Sequence, residues 1–316
     1  MEQFMKASTE REARRRQADL QELAQRIARV ARRDGGVEIH PGLHFRRGSD
    51  TTERVHGVSE PSFCVIAQGS KEVMVGEECL RYDPAHYLIT TVDLPLTGQV
   101  VDASPERPYL GFRLVLDPSV VTTVMLELDG EPRRVDGGSV KSIDVSPLDR
   151  DLLDATLRLA RLAESPADYR ALAPLVIREI IYRLLTGAQS SRMRHLATIG
   201  GQAHRMARAV RKLTERFDKP FRAEDMAREL GMSVSGFHAH FKAVTAMSPL
   251  QFHKQLRLQE ARRLMLSEGL DASEAGYRVG YRDPSFFSRE YKRQFGDAPT
   301  RDVGRLRELA SAEVAS

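Results

Sequence analysis

Apolar residues change their spacing several times along this chain. Leu20, Leu23, Ile27 and Val30 recur at intervals of three and four. That stripe predicts an amphipathic helix over residues 11–33, ended by "DGG" at 34–36. From 37 to 145 the pattern shortens to "SFCVIAQ", "KEVMVGE", "YLITTV" and "YLGFRLVL", divided by "QGSK", "GEE" and "YDPAH". Short β-rich runs at this spacing predict a sandwich or barrel. "DPSVVTTVMLELDG" predicts a short helix lying on it. Helical periodicity returns at 146–188, first through Leu152, Leu153, Leu157 and Ala160, then through Val176, Ile180, Ile181, Leu184 and Leu185, with Pro166 at the break. Residues 190–308 are helical throughout, with short turns. The expected organisation is an N-terminal helical arm (1–36), a β-rich domain (37–145), linker and packing helices (146–200) and a helical domain (201–308).

The helical end repeats itself. With Phe237 placed on Phe287, Ser235 falls on Ser285, Phe241 on Tyr291 and Lys242 on Lys292, all at an offset of 50. A one-residue slip sets "MARELGM" on "AGYRVGY", so that Gly231 meets Gly280 and Leu230 meets Val279. Each copy reads as short helix, glycine turn, second helix, which is the helix-turn-helix unit whose second helix enters the DNA major groove. The aromatic pairs lie four residues apart and share one helix face. Ser235, His238, Ala239 and Lys242 then point away from the core, as do Ser285, Ser288, Arg289, Lys292 and Arg293. Small polar residues allow close approach to phosphates and bases, Arg is the commonest reader of guanine, and Lys supplies phosphate affinity. Between the copies, "PLQFHKQLRLQEARRLML" (249–266) is an unbroken helical pattern. At its length of about 27 Å it brings the two second helices near the roughly 34 Å of one DNA turn. The plainer alternative is a helical bundle with a chance echo, and the repeat, spacing and charge together argue against it.

Charge supports this division. The net charge of the 316 residues is only +4. From Ser190 to Glu308, however, there are 23 Lys and Arg against 14 Asp and Glu, and the remainder holds 25 against 30. A basic end joined to a mildly acidic remainder suits a nucleic-acid-binding module attached to something else. Hydrophobic content of 41% and charged content of 29% describe a globular protein, and the length suggests about two domains. No apolar run approaches the roughly 20 residues of a membrane span. The charged first residues do not resemble a signal peptide. The two cysteines, Cys64 and Cys79, form neither a disulfide framework nor a Cys-rich zinc site, so a cytoplasmic location is expected.

"AEDMARELGMSVSGFHAHFKAVTAMSPLQFHKQLRLQEARRLML" followed by "EAGYRVGYRDPSFFSREYKRQFGDAPT" resembles the AraC/XylS family of bacterial transcription regulators. The second stretch carries the family pattern A-x-x-x-G-[FY], then S-x-F-S-R-x-[FY]-K-x-x-F-G-x-x-P. "EPSFCVIAQGSKEVMVGEECLRYDPAHYLITTVDLPLTGQV" resembles the N-terminal domain of one AraC subfamily. The resemblance implies an α+β fold, with a cupin-like β-barrel and flanking helices before an all-α domain of two helix-turn-helix units. It further implies binding to promoter DNA, activation by contact with RNA polymerase, a small effector in the barrel, and a homodimer. The family's base-contacting positions correspond to Ser235, His238 and Ala239 in the first unit and to Ser285 and Arg289 in the second. Ala239 offers only an apolar contact. "APTRDVGRLR" departs from the family's usual aromatic-then-Arg ending.

Cupin-like barrels can be metalloenzymes, but His40, His44, His56 and His86 contain no H-x-H pair. The one such pair, His238 and His240, lies on a recognition helix. No serine elbow or phosphate-cradling glycine loop is present, so no catalytic residue, metal site or cofactor is expected. Alternation places Cys64 and Ile66 on one strand face and Phe63 and Val65 on the other. If the first face looks inward, Cys64 and Ile66 line an effector cavity, where the thiol could meet an electrophile. Otherwise Cys64 is a small buried hydrophobe. Residues 150–186 are expected to supply dimer or inter-domain contacts. The basic first helix is expected either to pack on the barrel or to make a further contact with DNA or a partner. Two other functions remain open: a constitutive activator whose barrel only dimerises, and a cupin enzyme fused to a DNA-binding domain.

Overall fold

The computed structural model describes residues 2–129, 141–197 and 201–315. Residues 130–140 and 198–200, parts of the expected β-rich and linker segments, lie outside the described residues. The first helix, α1 (Glu2–Val30), starts nine residues before the predicted position. Leu20, Leu23 and Ile27 are buried as the stripe requires, whereas Val30, at the helix end, is 37% exposed.

Two antiparallel sheets follow. Strands β1 (Gly35–His40), β2 (Leu43–Gly48), β9 (Tyr109–Val115), β4 (Ser62–Gln68), β7 (His86–Thr90) and β10 (Ile143–Pro147) lie side by side in that order. The second sheet runs β3 (Val55–Ser59), β8 (Leu94–Asp102), β5 (Ser70–Val75) and β6 (Glu78–Tyr82). The α+β class stands, with one correction. Among the described residues no ladder joins the two sheets, so the domain is an open sandwich rather than a closed barrel.

Strand alternation works as predicted in β4. Phe63, Val65 and Ala67 join Phe45, Phe112 and the α1 leucines in one core, under the helices. Cys64 and Ile66 face the other way, among Val73, Val75, Leu88 and Val100, between the sheets. The predicted surface helix is α2 (Pro118–Asp129). Helices α3 (Arg150–Leu162) and α4 (Pro166–Thr186) complete the outer core. Asp149 caps α3 by accepting from Leu152 N at 2.8 Å, and Ser165 with Pro166 starts α4.

The rest is helical: α5 (Ser190–Ala197), α6 (Gly201–Glu215), α7 (Ala223–Glu229), α8 (Val234–Thr245), α9 (Pro249–Ser267), α10 (Ala272–Arg278), α11 (Pro284–Phe295) and α12 (Pro299–Ala315). The linker pattern becomes α9, whose 19 residues begin with a capping box between Ser248 and Gln251 and Pro249 at the first position.

Candidate nucleic-acid interface

Helices α7 and α8, and then α10 and α11, are the two repeats. Gly231 and Gly280 fill the turns at φ of 64° and 89°, a backbone region that costs glycine little. At Gly280 a Cβ would lie 2.2 Å from the Asp218 carbonyl oxygen, so that turn also needs the space. Ser233 caps α8 through Gly236 N, and Asp283 caps α11 through Ser285 N and Phe286 N.

Burial of the aromatic pairs fixes which face is outward. Phe237 and Phe241 are fully buried, with ring centroids 5.5 Å apart, and Phe241 meets Phe252 of α9 edge-on at 5.3 Å. Phe287 and Tyr291 repeat this at 5.6 Å. Each such ring contributes about 1.5–3 kcal/mol by burial. In α8, Ser235, Ala239 and Lys242 are consequently exposed and His238 is half-buried against Phe237. In α11, Ser285, Arg289, Lys292 and Arg293 are exposed and Ser288 is half-buried. The fold thus gathers every outward residue expected of each helix onto one face.

Partners separate these residues. Arg293 is tied to Glu290 at 2.5 Å, and Glu290, itself buried, also pairs with Lys254 at 2.8 Å. The side chains of Lys242, Arg289 and Lys292 have no hydrogen bond or ion pair among the described residues. Arg289 and Lys292 are exposed cations available to an external anion, whereas Lys242 and Ala239 line a cleft that also holds Glu77 and Glu78 of the sandwich.

Sequence reasoning missed what holds α11 in place. Asp302 of α12, fully buried, accepts both arms of Arg262 at 2.8 Å. It also accepts the Tyr291 hydroxyl at 2.8 Å and Arg305 at 3.1 Å. Burial and the neighbouring carboxylate push the Tyr291 phenol well above its ordinary pKa. Arg262 also lies 4.5 Å over the Phe295 ring. The departure noted in "APTRDVGRLR" therefore does not leave α12 undocked, because Asp302 anchors it.

The sandwich touches both units. Ser142 donates to the Val244 carbonyl at the end of α8, from its backbone N at 3.0 Å and its hydroxyl at 2.5 Å. Gly76, at φ 61°, lies so close that a Cβ there would meet the Ala246 carbonyl oxygen at 2.6 Å. On the other side Arg305 pairs with Glu53, and the His56 ring packs edge-on against Phe295 at 4.9 Å. Burial, followed by the Arg262 charge, lowers His56 to a pKa of about 4. Between the sheets, burial raises the Cys64 thiol above its ordinary value, which disfavours a reactive thiolate. Lys71 stretches over Gly98 on the same interior, and burial together with the Arg46 charge brings its ammonium down to about 8.

Comparison with known proteins addresses the family. The model of the AraC-type transcriptional regulator N-terminus matches residues 39–192, and a helix-turn-helix domain model matches residues 226–303. The chain belongs to the AraC/XylS family. Relatives include the HTH-type transcriptional regulator CdhR of Pseudomonas aeruginosa, 25% identical over 58% of this chain and 50% of CdhR. The HTH-type transcriptional activator RhaS of Salmonella schwarzengrund is 26% identical over 49% of this chain and 55% of its own length. The chain thus spans about half the length of these relatives. In overall fold it is similar to fatty-acid-bound ToxT of Vibrio cholerae, with a TM-score of 0.53 and 10% identity, covering 83% of this chain and 93% of ToxT. Among the described residues of this AraC-family chain, no helix is long and apolar enough to cross a membrane.

Proposed function

We propose that this AraC-family chain regulates transcription by placing α8 and α11 in successive major grooves of promoter DNA. The observation that carries this reading is the pair of matched helices flanking α9, each with its aromatic face buried and its polar face outward. In this reading Ser235, His238, Ala239 and Lys242 meet DNA from the first unit. Ser285, Ser288, Arg289, Lys292 and Arg293 meet it from the second. Arg289 is the principal base reader, being exposed and, among the described residues, unpaired. Residues 201–308 act as the DNA-binding domain, 37–145 as the regulatory domain and 146–200 as the connection between them. The protein works as a homodimer that activates by contacting RNA polymerase, and a small effector held by the N-terminal domain sets its affinity for DNA. The contacts from the sandwich to α8 and to α12 support that coupling, since a change in the sandwich reaches both units directly.

Titrating the protein onto its own upstream intergenic DNA tests this reading. Arg289→Ala is expected to weaken specific binding by about 1–3 kcal/mol with the fold unchanged. Unchanged operator affinity would remove Arg289 from the interface.

A further inference from the structure

Among the exposed residues of α8 and α11, Phe286 carries the largest apolar side chain. It is 48% exposed, whereas Phe287 and Tyr291 on the same helix are fully buried. Its inner side leans on Tyr281, with ring centroids 6.0 Å apart and the planes tilted by 47°. Tyr281 belongs to the buried cluster of the second unit. This contact holds the Phe286 ring against the helix and leaves its outer side to solvent. A ring restrained in this way has little rotational freedom left to lose on binding.

The place of this ring points to its partner. Helix α11 begins at Pro284 and is capped by Asp283, so Phe286 lies in the first turn. The N-terminal residues of a recognition helix are those that approach base edges. Arg289 follows three residues later, and residues three apart are neighbours on a helix surface. An apolar ring and an exposed guanidinium therefore stand side by side. In α8, at the offset of 50, the corresponding residues are Gly236 and Ala239. The first unit has neither member of the pair. A phenyl ring has no donor or acceptor with which to read a hydrogen-bonding edge. What the major groove offers an apolar group is the 5-methyl of thymine.

We infer that Phe286 is a specificity-determining residue whose ring packs on a thymine methyl group beside the base read by Arg289. The helix rises about 4.5 Å over the three residues from Phe286 to Arg289, little more than the roughly 3.4 Å between stacked base pairs. The thymine therefore lies within about two base pairs of that base. The second unit selects for the methyl, and the first, with Gly236, does not. This inference rests on the reading of α11 as a major-groove helix.

The test uses the full chain and a duplex of its own upstream binding site, located by footprinting, in which each thymine in turn is replaced by deoxyuracil. The replacement removes the methyl group and keeps every hydrogen-bonding edge. At a thymine contacted by the ring, wild-type affinity should fall about fourfold, the worth of one buried methyl-sized group. Phe286→Ala should bind the unmodified site at least about fourfold more weakly and should not respond to deoxyuracil there. Phe286→Leu, which keeps an apolar side chain, should retain part of the response. Arg289→Ala, which keeps the ring, should bind more weakly yet still respond.

A response that is the same in wild type and Phe286→Ala assigns the methyl to another residue and overturns the inference. So does the absence of a response at every thymine, or a Phe286→Ala loss that is equal for the site and for unrelated DNA. Weakened binding by Arg289→Ala in those cases leaves the reading of α11 standing. No effect of Arg289→Ala, or no preference for the site over unrelated DNA, overturns that reading and the inference with it.

Discussion

The two helix-turn-helix units share a framework and differ in what fills it. The first shares its apolar cluster with the sandwich interior: Phe237, Phe241 and Phe252 are continuous with Val73, Leu88 and Val100. The second has a cluster of its own, built on Phe287, Tyr291, Leu258 and Met265. The offset of 50 continues into the supporting helices, where Phe252 corresponds to Asp302. In the first unit Phe241 packs edge-on against Phe252, whereas in the second Tyr291 donates to Asp302. An apolar pair and a buried charged network thus occupy equivalent places. The aromatic contact is tolerant of exact geometry and lets the first unit merge with its neighbour. The charged one works only if every partner is in place, which isolates the second unit and fixes its orientation.

The largest expected effect follows from that network. Asp302→Ala leaves Arg262 buried without its carboxylate and should cost about 3–5 kcal/mol. Hydrogen exchange should show α11 and α12 losing protection while α8 keeps it. A uniform loss across both units would mean that they fold as one. At the outer surface, Ala239 corresponds to Arg289 at the same offset. The Arg289→Ala loss of about 1–3 kcal/mol should have a mirror in Ala239→Arg, which should steepen the salt dependence of DNA binding by about one unit. Fluorescence anisotropy over a salt series measures both, and a flat response at position 239 would mean that α8 does not approach a phosphate there.

A change in pH should act where the second unit meets the sandwich. The pKa of His56 is about 4 in the folded state against an ordinary 6.5. The unfolded chain therefore takes up the proton first. Stability from neutral His56 is full above the ordinary value, falls as the pH drops towards 4, and changes no further below that. His253, also lowered to about 4 by burial, adds to the same slope. Urea unfolding between neutral and mildly acid pH should show a shallower slope in His56→Gln, with a remainder from His253. The smallest effect is at the end of α8. Ala246 sits in the left-handed region at φ 59° where Gly296 ends α11. Ala246→Gly should stabilise the protein by up to about 1 kcal/mol, measured as a rise in melting temperature.

Much of this was readable from spacing alone. The repeat, the glycine turns, the aromatic anchors and the outward faces are local patterns, and the Cys64 and Ile66 face follows from alternation in a single strand. The missing pieces are non-local. Asp302 and Arg262 lie 40 residues apart and read individually as surface charges on amphipathic helices. Arg46 and Lys71 occupy inward strand positions where a polar residue normally marks the solvent face. Their meaning depends on which strands pair, which no short window contains. Spacing alone leaves sandwich and barrel both open for the same reason, because closure depends on ladders between strands far apart in the chain. The early start of α1 reflects charged residues with good helix propensity but no apolar stripe to reveal them.

The hydrogen bonds from Ser142 to Val244 have a further consequence. The last carbonyls of any helix lack partners within that helix, and here the sandwich supplies one for α8. A truncated protein beginning after the sandwich would hand that carbonyl to water and uncover part of the apolar surface around Phe241 and Val244. The excised DNA-binding piece would then fray at the end of α8 and grow sticky, so its behaviour in isolation would describe the cut as much as the domain.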